Sequence, residues 1–507
     1  MALSRILSVA LVGLEAVPVE VEVDASSSGE ERILTIVGLP DAAVRESKQR
    51  VLAALKNSDH WFDSFYGVVN LAPADLRKEG AFYDLPMALG LLSSLDQKRR
   101  SNILDDYIVV GELGLSGELR SIPGALAIAM MARKLKKKGV LLPAQNAKEA
   151  AAVPEIQSIP IKHLKDAIAF MQNPTAVQPV PNEMTSDLFQ NAIPPIDFAD
   201  IRGQQHVKRA MEIAAAGGHN VTLSGPPGSG KTMIAKAMIG IMPELTVDEA
   251  LEVTKVHSVS GLRSDSSGIV TQRPFRSPHH TVSYAGLIGG GQIPRPGEVS
   301  LAHHGILFLD ELPEFSRTVL EVLRQPLEDR QVTISRANGT FTYPTNFICI
   351  AAMNPCPCGY LGHPDKPCKD SESQIHRYQS KISGPIWDRI DMHIDVPTLR
   401  YKEMMEGEAG ETSSQIRDRV KSARHKQRAR YGKVCTNAEM SSREIKKHII
   451  LDTGSQQVMR QAMDMMGFSA RGCDRILRVS RTIADLAESE EVRQEHLMEA
   501  INFRTSK

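Results

Sequence analysis

The segment GPPGSGKT, residues 225–232, fits the pattern G-x-x-x-x-G-K-[ST]. Gly225, Gly228 and Gly230 let backbone N–H groups turn inward around phosphate oxygens, and Pro226, Pro227 and Ser229 complete the loop. Lys231 has the charge and reach to meet the β- and γ-phosphates of a nucleoside triphosphate, and Thr232 offers a hydroxyl to Mg²⁺. An apolar run, NVTLS, precedes the loop and a helical pattern, MIAKAMIG, follows it, which is the order this chemistry needs. A second apolar run, GILFLDEL, reads as a buried central strand that delivers Asp310 and Glu311 to its carboxyl end. Asp310 is suited to support Mg²⁺, and Glu311 to polarise an attacking water.

FICIAAMNPCP is another such run, ending at Asn354. Beside the acidic strand, its amide is placed to hold the lytic water or sense the γ-phosphate. The competing reading makes Asn354 only the start of an Asn-Pro turn. Arg389, in SGPIWDRIDMHIDVP, follows a helical turn and precedes a strand-like run. In a ring of subunits it would face the neighbour's nucleotide as an arginine finger. Arg471 opens the helical segment SARGCDRILRVSRTIADLA, from where it would swing onto the phosphates of its own chain. For both arginines a solvated or DNA-facing side chain stays equally open.

The elements that must position these groups follow from length and punctuation. A chain of 507 residues has room for about three domains at roughly 150 residues each. Residues 1–172 alternate strand-like and helical patterns. Residues 173–196, rich in Pro and Asn and without period, read as a linker. Residues 197–399 read as a mixed α/β core, and residues 400–507, almost all helical in pattern, read as a C-terminal lid. Sixty basic and sixty acidic residues cancel, so a nucleic-acid surface would have to be local. No apolar run reaches the length of a membrane span. The first 24 residues lack a clear cleavage site and continue into the alternating VPVEVEVD, so a cytoplasmic protein is expected.

The order of the phosphate loop, LDE, AAMNP, DRID and SARGCDRILR resembles an AAA+ ATPase of the magnesium-chelatase-like branch. RPFRSPHHTVS, GGGQIPRPGEVSLAHHGILFLDELPEF, MNPCPCGY and RYQSKISGPIWDRID narrow the resemblance to the ComM/YifB family. The resemblance implies an ATP- and Mg²⁺-dependent DNA helicase, a hexamer, that drives branch migration on single-stranded and branched DNA during natural transformation alongside the recombination machinery. It gives Walker A, Walker B, sensor 1, arginine finger and sensor 2 roles to Lys231, Thr232, Asp310, Glu311, Asn354, Arg389 and Arg471. A chelatase-type motor acting on a protein partner and a nucleotide-switched DNA clamp are the competing readings.

TISRANGTFTYP, residues 333–344, is a hairpin pattern lying between the acidic strand and Asn354. In this branch such a hairpin points into the ring's channel. Arg336 would contact phosphates, Asn338-Gly339 would make the turn, and Phe341 and Tyr343 would pack its base. The long insertion before the acidic strand, with Arg273, Arg276 and Arg295, resembles a second DNA-facing element of the branch. Packing between subunits is the alternative for both.

Cys356, Cys358 and Cys368, with His363 between them, offer three thiolates and an imidazole to a structural Zn²⁺. The family pattern has a further cysteine where this chain has Asp370, and a metal-free loop braced by prolines is as well supported. VVGELGLSGELRSIPGALAIAMMARKLKKKGVLLPAQN resembles the proteolytic domain of Lon, of the ribosomal S5 domain 2-like fold. Phe82 stands at the position of its nucleophile and Leu126 at that of its lysine, so peptide cleavage is not expected.

Overall fold

In Glu15–Ser26 every second residue is apolar, and Val19, Val21, Val23 and Ala25 are buried while Glu20, Glu22 and Asp24 face outward. That period pins the register of its antiparallel partner, Ser4–Val12, and of Phe65–Ala72 on its other side. Arg32–Val37 completes this four-stranded sheet. The helix Asp84–Leu95, apolar on all sides, is buried through almost its whole length beneath it. A three-stranded parallel sheet, Tyr107–Val109, Gly139–Pro143 and Gln157–Ile161, follows.

The computed structural model describes residues 3–504 apart from 28–30, 77, 79, 97–101, 183–195, 263–267, 292–293, 337–338 and 399–409. The chain divides into two units. One comprises Met1–Leu188 with Thr246–Thr271, the other Phe189–Leu245 with Gln272–Lys507. Residues 246–271, expected within the ATPase core, therefore belong to the first unit. The helix Val247–Val259 explains the difference, since Ala250, Val253 and Val256 are buried on it. Its Ser258 hydroxyl accepts from Gly124 N at 2.8 Å and donates to Glu149. Phe82 and Leu126 are both buried in this unit.

The second unit is built on a parallel sheet of five strands. Their order is Phe275–Arg276, Ile306–Leu309, Ile348–Met353, Val221–Ser224 and Met392–Asp395. The three central strands are apolar and buried on both faces, as a parallel sheet covered by helices requires. The helices Gln205–Gly217 and Lys231–Ile241 contribute Ala210, Ile213, Ile234 and Met238 to the core. Ile416 and Val420 of Ser413–Tyr431, and Ile476, Val479 and Ile483 of Ala470–Leu486, join that same core. The C-terminal helices, read as a lid, thus share one apolar interior with the sheet. Among the described residues no helix is long and apolar enough to cross a membrane.

Candidate nucleotide and DNA site

Parallel strands in one sheet present their carboxyl ends along one edge, and the polar residues of three apolar runs meet there. Val221–Ser224 lies between Ile348–Met353 and Met392–Asp395, so the loop that leaves Ser224 starts beside Asn354. Gly225 sits so close to Val396 O that a Cβ would come within 2.2 Å of it. Gly228 and Gly230 have φ of 78° and 89°, a left-handed backbone that turns the loop into the helix Lys231–Ile241.

Lys231 Nζ donates to Gly225 O at 2.6 Å, to Pro226 O at 2.9 Å and to Asn354 Oδ1 at 3.2 Å. The ammonium is folded back over its own loop, where burial pulls its pKa down and Asp310 opposes the shift. Thr232 Oγ1 donates to Asp310 Oδ2 at 3.0 Å. A hydroxyl and a carboxylate in contact are the donor set that Mg²⁺ takes when it keeps most of its waters, so these residues fit that ion. Glu311 has φ of 53° and a side chain 58% exposed, and its carboxylate lies 3.3 Å from His280 Nδ1.

Beside Pro226 a cavity of about 570 Å³ is lined by Gly203, Gln204, His206, Leu361, His363 and Pro397. It has the volume to take the nucleoside end of a nucleotide whose phosphates occupy the loop. Gln204 Nε2 donates to Ser229 O and Pro397 O, both at 3.0 Å, and so ties the loop to the segment after the edge strand. Sequence reasoning missed Gln204, and it placed His280 in the basic insertion read as DNA-facing rather than beside Glu311. The polar pairs GQQH and PHH were the visible signals, without a spacing rule to read them.

Arg389 and Arg471 lie elsewhere. Arg389 donates to Arg324 O at 3.2 Å and Pro385 O at 2.7 Å, and pairs with Glu328. Arg471, 68% exposed, has its guanidinium 3.6 Å from the same Glu328. The neighbouring Arg475 donates to Arg389 O at 3.1 Å and Asp391 Oδ1 at 2.8 Å. Burial would raise the Asp391 pKa, but Arg475 and His219 hold it far below the usual carboxylate range. Asp391 precedes Met392, which pairs with Val221, whereas Asp395 pairs with Ser224 at the phosphate-loop end. The Arg389–Arg475–Asp391 cluster is therefore at the opposite end of the strands from its own phosphate loop. Arg471 shares Glu328 with that cluster and so, contrary to expectation, is not brought to the phosphates of its own chain.

The hairpin pairs Gln331–Arg336 with Gly339–Pro344, Arg336 opposite Gly339. Gly339 is thus the first residue of the returning strand, and Asn338 lies outside the described residues. Tyr343 is fully buried and donates to Pro294 O at 2.6 Å, which fastens the hairpin's base. Arg336 is exposed at its outer end, as is Arg295 in the insertion. Two other predicted DNA contacts are structural. Arg273 donates to the carbonyls of Pro243, Glu244 and His304, and Arg276 holds Glu298 in a bidentate pair at 2.6 and 2.7 Å. The basic helix Ser413–Tyr431 also spends its charge internally. Arg419 pairs with Glu212 and Glu411, Lys421 with Glu244, and Arg430 with Asp485.

The Sγ atoms of Cys356, Cys358 and Cys368 lie 3.4–3.6 Å apart, with Asp370 completing the cluster. His363 is not among its members. Its Nδ1 accepts from Asp365 N and Lys366 N, and its ring lines the cavity beside Pro226.

Three family descriptions match the chain. They are "Subunit ChlI of Mg-chelatase" over residues 21–146, "Magnesium chelatase, subunit ChlI" over 197–404, and "Magnesium chelatase, subunit ChlI C-terminal" over 410–504. Competence protein ComM of Haemophilus influenzae is 42% identical over 99% of this chain and 98% of its own. YifB of Escherichia coli is 40% identical over 99% and 97%. Lon protease 2 of Bacillus subtilis is 31% identical over 30% of this chain and 29% of its own. The phosphate loop, the paired Thr232 and Asp310, and a likeness running from end to end lead to one assignment: the chain belongs to the ComM/YifB family of magnesium-chelatase-like AAA+ ATPases, which use ATP and Mg²⁺.

Proposed function

We propose that this protein is a ring-forming, ATP-driven DNA translocase of six subunits that moves branch points while transforming DNA is integrated. The name of its Haemophilus relative, a competence protein, supports the setting. The observation that carries the reading is the hairpin Gln331–Pro344. It hangs between the strand that ends at Asp310 and the strand that ends at Asn354, and it exposes Arg336. A change at the γ-phosphate is thereby two strand ends away from a cation suited to a DNA backbone.

In this reading Lys231 leaves the carbonyls of Gly225 and Pro226 for the β- and γ-phosphates. Thr232 and Asp310 would hold Mg²⁺, which would supply neutralising charge there. Glu311 takes the proton of the attacking water, which Asn354 orients. Arg389 and Arg471, at the far end of the strands, serve the nucleotide of the adjoining subunit. Contact with the γ-phosphate there replaces the contact with Glu328. The first unit is a Lon-type module of S5 domain 2-like fold whose Phe82 and Leu126 cannot ionise, so it guides rather than cleaves. The cysteine knuckle holds a structural zinc.

ATP turnover with and without single-stranded DNA tests the reading. Hydrolysis stimulated several-fold by DNA and abolished in Glu311→Gln is expected. Hydrolysis indifferent to every DNA structure would favour a motor that remodels a protein partner.

A further inference from the structure

A loop of some fifteen residues without helix or strand runs from Pro355 to Asp370, directly after Asn354. Such a loop has too few apolar side chains to hold itself in place and needs a staple. Its three thiols supply one. Cys356 Sγ is 3.4 Å from Cys358 Sγ and 3.6 Å from Cys368 Sγ, and Cys358 Sγ is 3.6 Å from Cys368 Sγ. These separations are far beyond a disulfide bond of about 2.05 Å. They are close to the roughly 3.8 Å edge of a tetrahedron of thiolates about 2.3 Å from one zinc ion. Three sulfurs so arranged leave one vertex, and Asp370 stands at it. Its Oδ2 accepts from Cys358 N at 2.8 Å and lies 3.8 Å from Cys368 Sγ, and one of its carboxylate oxygens is within 4.8 Å of all three sulfurs.

The same loop touches the phosphate site twice. Cys356 is two residues beyond Asn354, whose amide accepts from Lys231. Gly359, next to Cys358 and with φ of 82°, lies against the phosphate loop so tightly that a Cβ would come within 2.6 Å of Pro227 Cδ. The geometry points to Cys356, Cys358, Cys368 and Asp370 as a closed site for one zinc ion, with Asp370 and not His363 as the fourth ligand. The ion fixes the loop that carries Asn354 at one end and braces Pro227 in the middle. Three soft thiolates select zinc over Mg²⁺, and the filled tetrahedron leaves no position for substrate, so the site is a positioning one. This deepens the zinc assignment in the proposed function and is independent of the DNA reading.

Metal content of the full-length protein, purified under reducing conditions without added chelator, tests it apart from any activity. Wild type and His363→Ala are expected to carry about one zinc per chain. Cys358→Ser is expected to lose it, and Asp370→Ala to release it to a chelator at a concentration roughly tenfold lower than wild type requires. Asp370→Cys is expected to keep the ion and, charged with Co²⁺, to show a stronger thiolate charge-transfer band. Fluorescent-ADP affinity should weaken in Asp370→Ala and recover in Asp370→Cys, a rescue that general unfolding would not give. Wild type that neither carries zinc nor takes up Co²⁺ when reduced would overturn the site. Loss of metal in His363→Ala with retention in Asp370→Ala would overturn the ligand assignment. Neither result bears on whether DNA stimulates the ATPase.

Discussion

His280 Nδ1 stands 3.3 Å from Glu311 Oε2, so the long insertion before the acidic strand holds the carboxylate proposed to activate water. The His280 ring also lies 4.1 Å from His279 and edge-on to Phe315. A carboxylate engaged by an imidazole has a lone pair less for a water proton. His280→Ala is therefore expected to raise DNA-independent kcat several-fold with KM for ATP unchanged, and to shrink the stimulation by DNA. His280→Gln, which keeps a donor, should stay near wild type. A lower basal rate in His280→Ala would mean that the histidine assists Glu311 rather than restrains it.

Arg389 and Arg471 meet at Glu328, away from their own phosphate loop. Arg389→Ala should lose roughly a thousandfold in kcat while still binding nucleotide. Mixing Arg389→Ala subunits with Lys231→Ala subunits should restore part of the rate, since some interfaces then pair an intact loop with an intact arginine. No recovery on mixing, with rings formed, would contradict action between subunits.

Arg336 and Arg273 make opposite predictions. Arg336→Ala should weaken DNA binding uniformly across sequences and reduce the salt slope by about one ion. Arg273→Ala removes donors from three carbonyls and should lower Tm by several degrees. Its salt slope for DNA should match wild type. A reduced slope in Arg273→Ala would return that residue to the DNA surface.

In the first unit, burial pushes the Glu149 carboxyl from 4.5 up to about 7, against the hydrogen bonds from Ser258 and Leu126 N. The folded form then holds a proton that the unfolded chain gives up. Stability present in full below about pH 4.5 is lost as pH rises through about 7, by about 3 kcal/mol at most. Glu149→Gln should flatten that part of the pH–stability curve in chemical denaturation. An unchanged curve would show that Glu149 titrates normally.

Much of the site was legible because its chemistry is local in sequence. The phosphate loop, the Asp310–Glu311 pair and Asn354 each end an apolar strand, and burial of parallel strands on both faces enforces that pattern. What sequence could not supply was pairing across long separations. Arg273 and Arg276 looked like DNA contacts because a basic residue in a Gly-rich insertion carries no mark of the carbonyls or the Glu298 that it meets. The helix Val247–Val259 reads as part of the core that precedes and follows it in the chain, and its buried face belongs to the first unit. His363 has a ligand's chemistry and a ligand's spacing, yet its Nδ1 is taken by its own turn, and Asp370 occupies the place beside the sulfurs. The Asn-Gly pair marked the hairpin, whose strands pair with Arg336 opposite Gly339.

Hydrolysis at Lys231 and Glu311 is proposed to drive the Arg336 hairpin along DNA. Branch migration of a four-stranded junction with ATP and Mg²⁺, comparing wild type, Lys231→Ala and Arg336→Ala, tests it most directly. Wild type should move the branch point, and Lys231→Ala should do neither chemistry nor movement. Arg336→Ala is predicted to hydrolyse ATP without moving the junction. Wild type that hydrolyses ATP and leaves every junction intact, or Arg336→Ala that migrates branches at the wild-type rate, would contradict it.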